Sequence, residues 1–347
     1  MVKIGNLIEK SGCDAVLIMS ELSAEYFSGF YADFCYIVAT KDFINYYTDK
    51  RYYDEAKIKL KYNIKLIDSE NYLSILAKDL KGYANIGLDE TKIFYSDYLK
   101  IKDILPEKFK LVGGIVEQIR SIKDETELRL VRIAAQIADK ALDEILGVIK
   151  EGISERELAY EIDSRMIKRG ADSPAFNTIV CFAENAAYPH WVPSERKLKP
   201  GDIILMDFGA RYNGYNSDMT RTVSFGRASD EFKKAYEVVK GANLAAQEGI
   251  TPYMKASAAD ALARDYIKSA GYEEYFTHSL GHGVGFEVHE YPRLAPNSDA
   301  LINRGMLFTV EPGIYINGKF GIRIEDLVYM DDNVIKLTQS DKNLIEL

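Results

Sequence analysis

Two aspartates interrupt strand-like segments in ILMDFGARYNGYNSDMTRTVSF, residues 204–225. Asp207 directly follows a strongly apolar run, and Asp218 precedes a second one. Two further carboxylates, Glu311 and Glu325, interrupt equally strand-like segments near the end of the chain. Carboxylates are rarely buried unless they are paired or bind a metal ion. Each one alone also fits a strand end or a turn, but the four together indicate a metal site.

The histidines are confined to the second half of the chain. The sequence contains only four, and three of them, His278, His282 and His289, fall within twelve residues. A lone histidine is more often structural than functional, whereas this clustering favours a site. Four carboxylates and one imidazole suit a pair of divalent cations held mainly by oxygen. Two ions roughly 3.5–4 Å apart can share bridging carboxylates and a water molecule.

The glycine-rich segment GHGVG, residues 281–285, surrounds one of these histidines. It matches neither the P-loop nor the dinucleotide-binding pattern. We interpret its small residues as allowing backbone and ligands to approach His282 closely.

The pattern of apolar runs predicts an α/β (α+β) protein with two domains. The first third alternates short strands with helices, which predicts a mixed or parallel sheet. The predicted strands are Asp14–Met19, Phe34–Thr40, Phe43–Tyr47, Asn63–Ile67 and Ala84–Leu88, and the predicted helices are Arg51–Leu60 and Asn71–Leu80. We place the domain boundary near Ser121, which gives domains 1–120 and 121–347.

The second part begins with helices and continues with long strands. Apolar positions predict a helix over Asp124–Lys150, and Ser154 with Glu157 forms a capping box for a helix to about Arg169. An antiparallel sheet backed by helices is expected beyond this point. Its predicted strands are Ile203–Ala210, Thr220–Phe225, Met306–Val310 and Gly321–Met330, and its helices are Asp230–Gly249 and Ala256–Gly271.

Composition excludes some classes of partner. The 347 residues are 47% hydrophobic and 28% charged, with a formal charge of -9, so nucleic acid is not expected as a partner. We find no apolar run long enough for a membrane span and no secretory leader. Cys13, Cys35 and Cys181 lie far apart, which favours a reducing compartment, and we expect a cytoplasmic protein.

Four motifs resemble those of the metallopeptidase family that contains prolidase, aminopeptidase P and methionine aminopeptidase. They occur in the family's order and are most similar to the prolidase and aminopeptidase P branch. The resemblance implies a pita-bread catalytic domain over 121–347. It also implies a creatinase-like domain over 1–120, which includes TDKRYYDEA at residues 48–56. The motifs are MDFGARYNGYNSDMTRT (206–222), HSLGHGVGFEVHEYPR (278–293), FTVEPGIY (308–315) and GIRIED (321–326).

The resemblance implies five metal ligands. Asp207 matches the aspartate that chelates one metal, and Asp218 and Glu325 match the bridging carboxylates. His282 and Glu311 match ligands of the other metal, and Glu311 also matches a general base for the bridging water. Two divalent ions per chain are implied; manganese or cobalt is favoured, and zinc or iron also tolerates such ligands.

The remaining histidines match positions in the substrate pocket. His190 matches a histidine that lines the pocket, and His278 matches a further pocket histidine. His289 matches the histidine that contacts the scissile carbonyl and stabilises the oxyanion. The segment CFAENAAYPH departs from the glycine-bearing turn of many relatives, and Trp191 follows it without the usual second histidine. Trp191 fits either an apolar pocket wall or a packing role.

Two arginines complete the predicted site. Arg293 resembles the arginine with which prolidases pair the free carboxylate of a dipeptide, since arginine binds carboxylates bidentately. The alternative for Arg293 is an ordinary residue of a surface loop. Arg323 is expected to orient Glu325 or Asp218 rather than touch substrate.

The resemblance therefore implies a homodimeric Xaa-Pro dipeptidase that acts on small peptides. A Xaa-Pro aminopeptidase, which cuts the same bond in longer peptides, is the close alternative. A metal-free creatinase-like hydrolase and a non-catalytic binding module are disfavoured because all five ligand positions are kept. Methionine aminopeptidase is disfavoured by the creatinase-like first domain.

Overall fold

The chain forms two compact units, Met1–Ile119 and Arg120–Leu347. The structure, a computed structural model, describes residues 2–103, 105 and 109–347. The elements of the first part are α1 (Val2–Ser11), β1 (Ala15–Ile18), α2 (Glu21–Ser28), β2 (Cys35–Thr40), β3 (Ile44–Thr48), α3 (Tyr53–Lys59), β4 (Asn63–Leu66), α4 (Tyr72–Leu80), β5 (Ile86–Asp89), α5 (Tyr95–Lys102), β6 (Lys110–Leu111) and α6 (Gly113–Ser121).

The first unit is built on a six-stranded mixed sheet in the order β4-β3-β2-β1-β5-β6. Strand β1 pairs antiparallel with β2 and parallel with β5, and it is buried along its whole length. Strands covered on both faces are continuous apolar runs, as in AVLI of β1. The predicted mixed sheet is therefore confirmed, with strand ends shifted by one or two residues.

The second unit combines four small antiparallel sheets with two pairs of helices. Its elements are α7 (Glu125–Leu146), α8 (Glu155–Lys168), β7 (Ser173–Pro174), β8 (Ile179–Phe182), β9 (Ile203–Phe208), β10 (Ala210–Tyr212), β11 (Tyr215–Asn216), β12 (Met219–Ser224), α9 (Asp230–Gly249), α10 (Ala256–Ser269), β13 (Gly281–Gly283), β14 (Glu290–Leu294), β15 (Leu307–Val310), β16 (Gly313–Ile316), β17 (Phe320–Arg323), β18 (Asp326–Met330) and β19 (Val334–Lys336). Short 3₁₀ turns cover Ala183–Ala187 and Glu273–Tyr275.

The helices of the second unit pack on its sheets and enclose two apolar cores. Helices α7 and α8 pack on the sheet β12-β9-β8, with Leu142, Leu158 and Met206 in that core. Helices α9 and α10 form the other core with strands such as β15 and β17, and Val239 and Phe308 lie within it. The expected antiparallel sheet backed by helices is confirmed, although it is divided into the sheets β11-β10-β7, β12-β9-β8, β14-β13-β15-β18-β19 and β16-β17.

Two predicted strands are broken where the chain passes from one sheet to another. The predicted strand Ile203–Ala210 ends at Phe208, and after Gly209 the chain continues as β10, which belongs to a different sheet. Gly209 packs closely, since a Cβ atom on it would lie 1.9 Å from Ser217 O. The predicted strand Gly321–Met330 is divided between β17 and β18, which belong to different sheets. Glu325 lies in the break, where its N–H donates to Thr220 O at 3.1 Å.

The predicted helices are correct in kind, and their ends differ in places. Helix α7 ends at Leu146 rather than Lys150, because Gly147 follows and glycine disfavours helix. Asp124 and Glu127 form a further capping box at its start, in addition to the one predicted for α8. The predicted capping box of Ser154 and Glu157 is present at the start of α8. In the described part of the chain, no helix is long and apolar enough to cross a membrane.

Candidate metal centre

Three of the candidate ligands meet around Thr220 on strand β12. In the antiparallel pair of β9 and β12, Asp207 lies directly opposite Thr220, and Asp218 lies just before β12. Glu325 comes from the break between β17 and β18, and its Oε2 accepts a hydrogen bond from Thr220 Oγ1 at 2.6 Å. The strand breaks therefore turn carboxylates from separate sheets toward one point.

His282 comes from a different sheet, where glycines permit a close approach of the strands. A Cβ atom on Gly281 would lie 2.0 Å from Thr309 O, and one on Gly283 would lie 2.4 Å from Tyr291 O. The register of β13 and β14 shifts between His282 and Gly283, and such irregularities often redirect a side chain. The interpretation of GHGVG as a segment that allows close approach therefore agrees with these distances.

The imidazole of His282 faces the carboxylates. Its Nδ1 donates to Gly283 O at 3.1 Å, which directs Nε2 toward the centre. Nε2 lies 3.3 Å from Glu311 Oε1 and 3.7 Å from Asp218 Oδ2. Glu311 follows strand β15, and its N–H donates to Leu280 O at 2.8 Å. All five predicted ligands thus converge.

The centre has an excess of buried negative charge. Burial raises the pKa of Asp218 and Glu325 well above the usual range, and the neighbouring carboxylates raise it further. Burial raises the pKa of Glu311 to about 8, although the guanidinium of Arg323 opposes the shift. Among the described residues, the guanidinium of Arg323 is the one positive group that faces Asp207, Asp218, Glu311 and Glu325, so it balances only part of their charge when they are ionised. A bound divalent cation would neutralise the negative charge of these buried carboxylates.

The donor atoms fit divalent cations. Among the residues that the structure describes, Asp207 Oδ1 is buried and has no hydrogen-bond partner. Ligand atoms of Asp218, His282 and Glu325 all lie within 4.8 Å of one another. Carboxylate oxygens with one imidazole nitrogen are a common donor set for divalent transition metals. The centre therefore combines an unsatisfied buried oxygen with donors close enough to share an ion.

Arg323 links the centre to a histidine through a tyrosine. Its guanidinium binds Asp207 Oδ2 and donates to Tyr315 OH at 2.9 Å. His278 Nδ1 donates to Ser279 O at 2.8 Å, so the hydroxyl of Tyr315 donates to His278 Nε2, also at 2.8 Å. Burial lowers the pKa of His278 to about 4, and Arg323 adds to the effect, so this imidazole is neutral at pH 7.

The position of Arg323 corrects part of the prediction. Its direct carboxylate partner is Asp207 rather than Glu325 or Asp218. It reaches Glu325 only through Thr220 Oγ1, which accepts from Arg323 Nε at 3.0 Å. Tyr315 was missed, because tyrosine is common in this chain, with 24 copies, and nothing local distinguishes this one.

One cavity of about 530 Å³ contains every predicted site residue. The rings of His282 and His289 approach to 4.2 Å between centroids. Arg293 lies opposite His282 in the register of β13 and β14, and its side chain is exposed. Within the described ranges, no ion pair or hydrogen bond engages its guanidinium. The predicted residues that line the cavity are His190, Asp207, Asp218, His278, His282, His289, Arg293, Glu311, Arg323 and Glu325.

A buried ion cluster supports the wall next to His289. Glu290 accepts from Arg120 Nη2 at 2.6 Å and from Lys123 Nζ at 2.9 Å, and these side chains are 5% exposed or less. Glu287 also pairs with Arg120, at 2.9 Å. This cluster could not be predicted from the sequence, because the residues that pair with each other are more than 160 residues apart in the chain.

Buried carboxylates that converge with one imidazole, in a cavity with three further histidines, are the arrangement expected of a metal-dependent hydrolase. The chain belongs to metallopeptidase family M24, which matches residues 129–332. Residues 2–122 match the Creatinase/Prolidase N-terminal domain. The predicted family, fold class and type of enzyme are confirmed, and membership of a metallopeptidase family implies divalent metal ions.

Three proteins that are similar over nearly their whole length are named as Xaa-Pro dipeptidases or as an X-Pro aminopeptidase. The Xaa-Pro dipeptidase structure from Bacillus anthracis is 39% identical, with a TM-score of 0.95, and the match covers 100% of this chain and 99% of that one. The Xaa-Pro dipeptidase of Pyrococcus horikoshii is 37% identical over 99% of this chain and 97% of its own length. The X-Pro aminopeptidase structure from Thermotoga maritima is 34% identical, with a TM-score of 0.91, and the match covers 98% and 99% of the two chains.

Proposed function

We propose that this chain is a Xaa-Pro dipeptidase, which hydrolyses the bond before a carboxy-terminal proline. The observation that carries the choice of a dipeptide is the guanidinium of Arg293, which lies in the wall of the metal-site cavity and has no hydrogen-bond or ion-pair partner among the described residues. The dipeptidases of Bacillus anthracis and Pyrococcus horikoshii support the same assignment, since they match this chain along almost its full length.

Asp207, Asp218, His282, Glu311 and Glu325 would hold two divalent cations. Manganese or cobalt is the favoured identity, and zinc or iron also suits these donors. When bound, such ions lower the pKa of a water molecule and polarise a carbonyl. The support is the buried negative charge and the orphaned Asp207 Oδ1 described above.

The other groups of the cavity would each have a separate role in proton transfer, carbonyl stabilisation or substrate binding. Glu311 has one oxygen fixed by Thr309 Oγ1 at 3.1 Å, which leaves its other oxygen to accept a proton from the attacking water. His289 would donate a hydrogen bond to the scissile carbonyl oxygen as negative charge develops there. His190 and His278 would line the space for the substrate, and Tyr315 holds His278 in one orientation.

Arg293 would select the length of the peptide. An arginine pairs with a carboxylate through two parallel hydrogen bonds, and a dipeptide is the substrate whose carboxylate follows the proline directly. The pair contributes roughly 1.5–3 kcal/mol, which corresponds to about ten- to a hundredfold in kcat/KM. A peptide extended or amidated at that end loses this contact.

The test compares Ala-Pro, Ala-Pro-amide and Ala-Pro-Ala in the parent and in Arg293→Ala. We expect the dipeptide to be cleaved best by about the factor above, and Arg293→Ala to remove most of that advantage by slowing the dipeptide alone. Arg304→Ala is the matched control, since Arg304 is exposed and pairs with Asp332. An equal loss of kcat/KM for all three substrates in Arg293→Ala would mean that Arg293 has a structural role.

The alternative is a Xaa-Pro aminopeptidase, which the similarity to the Thermotoga maritima protein favours. Equal rates on the dipeptide and the tripeptide in the parent enzyme would select it. The homodimer and the cytoplasmic location stay predictions, and light scattering after size-exclusion chromatography tests the first.

A further inference from the structure

A buried carboxylate outside the metal centre has no role in this mechanism. Glu155 is the first residue of α8, and its side chain is fully buried. Its Oε1 accepts from the N–H of Phe182 at 2.7 Å and from Asn185 Nδ2 at 2.8 Å. These donors lie at the start of the segment that leads from β8 into the cavity wall.

The other oxygen binds the far end of the same segment. Glu155 Oε2 accepts from Trp191 Nε1 at 2.9 Å, from Ser194 N–H at 2.9 Å and from Ser194 Oγ at 2.6 Å. No ion pair involves Glu155 in the part of the chain that the structure describes. Its charge is therefore balanced by hydrogen-bond donors of the segment 182–194 and by the N-terminus of α8.

The segment between these two ends carries His190. Trp191 N–H donates to Tyr188 O at 3.1 Å, which closes a turn with Pro189 and His190 at its centre. The rings of Tyr188 and Trp191 stack with centroids 5.6 Å apart. His190 lines the cavity but is exposed, so burial does not hold it in place.

We propose that Glu155 is a positioning residue that fastens both ends of the segment 182–194 and so holds His190 on the cavity wall. Its consequence for turnover rests on the proposed function. The geometric part of the claim does not, because the hydrogen bonds and the position of His190 are independent of the substrate.

A glutamine at this position has nearly the same shape but not the same hydrogen-bonding capacity. All partners of Glu155 are donors, and a carboxylate offers only acceptors. The amide group of Glu155→Gln would turn one NH₂ toward the donors of Phe182 and Asn185 or toward those of Trp191 and Ser194. One end of the segment is therefore released whichever way the amide points.

Trp191 reports the state of this clamp directly, because it is the only tryptophan of the chain. In Glu155→Gln, we expect its emission to move to longer wavelength and its quenching by acrylamide to increase. Glu157→Gln is the matched control, since Glu157 lies in the same helical turn, is exposed and contacts Ser154 and Lys197 instead. It should leave both signals at the parent values. Unchanged Trp191 signals in Glu155→Gln would overturn the proposal.

The catalytic consequence is measured with a double-mutant cycle on Ala-Pro. If Glu155 acts through His190, introducing Glu155→Gln into the parent enzyme lowers kcat/KM roughly tenfold or more. Small displacements of groups that position a substrate strongly reduce the rate. In a His190→Ala background, the same change should have less than about a twofold effect, because the two residues act as one unit. Equal losses in the two backgrounds would contradict the proposal.

Two further outcomes, a variant that does not fold and a parent enzyme that does not cleave Ala-Pro, can be distinguished from a failure of the proposal. If Glu155→Gln does not fold, Ser194→Ala removes one donor of the clamp, and a smaller shift of the Trp191 emission in the same direction is expected. No shift in that variant would again overturn the proposal. If the parent does not cleave Ala-Pro, the proposed function is wrong, and the fluorescence comparison still decides the role of Glu155.

Discussion

The buried pair of Glu290 and Lys123 predicts a large effect from a small substitution. Glu290→Gln keeps the shape of the side chain but removes its charge, and Lys123 is 1% exposed. Arg120 retains Glu287 at 2.9 Å, whereas no other carboxylate pairs with Lys123 among the described residues. Leaving one buried charge without its partner costs about 3–5 kcal/mol. We expect a loss of this size in the free energy of unfolding.

The assay is equilibrium unfolding in urea, followed by Trp191 fluorescence. Adding Lys123→Met to Glu290→Gln should recover part of the loss, since the uncompensated charge is then gone. Asp299→Asn is the control, because Asp299 and Lys255 form a pair that is mostly exposed, and it should leave stability almost unchanged. A loss below about 1 kcal/mol in Glu290→Gln would refute the reasoning.

The same pair predicts a dependence on pH. Burial alone would raise the pKa of Glu290, but Lys123 and Arg120 outweigh it, and the net pKa lies below the usual range. The stabilisation is therefore complete above the unfolded value of about 4.3 and is lost as the pH falls through the lower folded value. Unfolding curves in acid should show this loss in the parent and not in Glu290→Gln.

Three further predictions concern the centre and its scaffold. Asp218→Ala and Glu325→Ala should each lower kcat/KM by orders of magnitude together with metal content, since both residues are proposed to bridge the ions; near-normal turnover and metal content would exclude that role. His289→Ala should keep the metal and lower kcat, because its proposed contact strengthens in the transition state; a loss of metal would contradict this. Gly209→Ala should destabilise by at least about 1–3 kcal/mol, because its Cβ would lie 1.9 Å from Ser217 O. Gly147→Ala, whose nearest neighbour would be 3.6 Å away, should not.

Local signals in the sequence were sufficient to select the residues that the structure brings together in the cavity. The four carboxylates interrupt apolar runs, and such interruptions can be recognised without knowing the fold. The motifs around His282 and Glu311 then identified the family. The strand break at Glu325 was not visible, because apolar residues such as Ile322 and Ile324 continue on both sides of Arg323 and both are buried.

The groups that hold the site in place depend on long-range contacts. Arg323 and Asp207 are 116 residues apart, and Glu155 reaches Ser194 across 39 residues. In the sequence, Glu155 directly follows the helix cap Ser154, and no local feature distinguishes it from an ordinary exposed glutamate in a first helical turn. Neither periodicity nor capping chemistry predicts that such a residue is buried against a distant segment. These long-range contacts can be recognised only in the structure.

The most direct test of the central claim is metal analysis of the chain in parallel with hydrolysis of Ala-Pro. The account predicts about two divalent ions per chain in active protein, loss of hydrolysis after exhaustive chelation, and recovery when manganese or cobalt is added. Asp218→Ala, treated in the same way, should not recover. Full hydrolysis by rigorously metal-free protein would contradict the account.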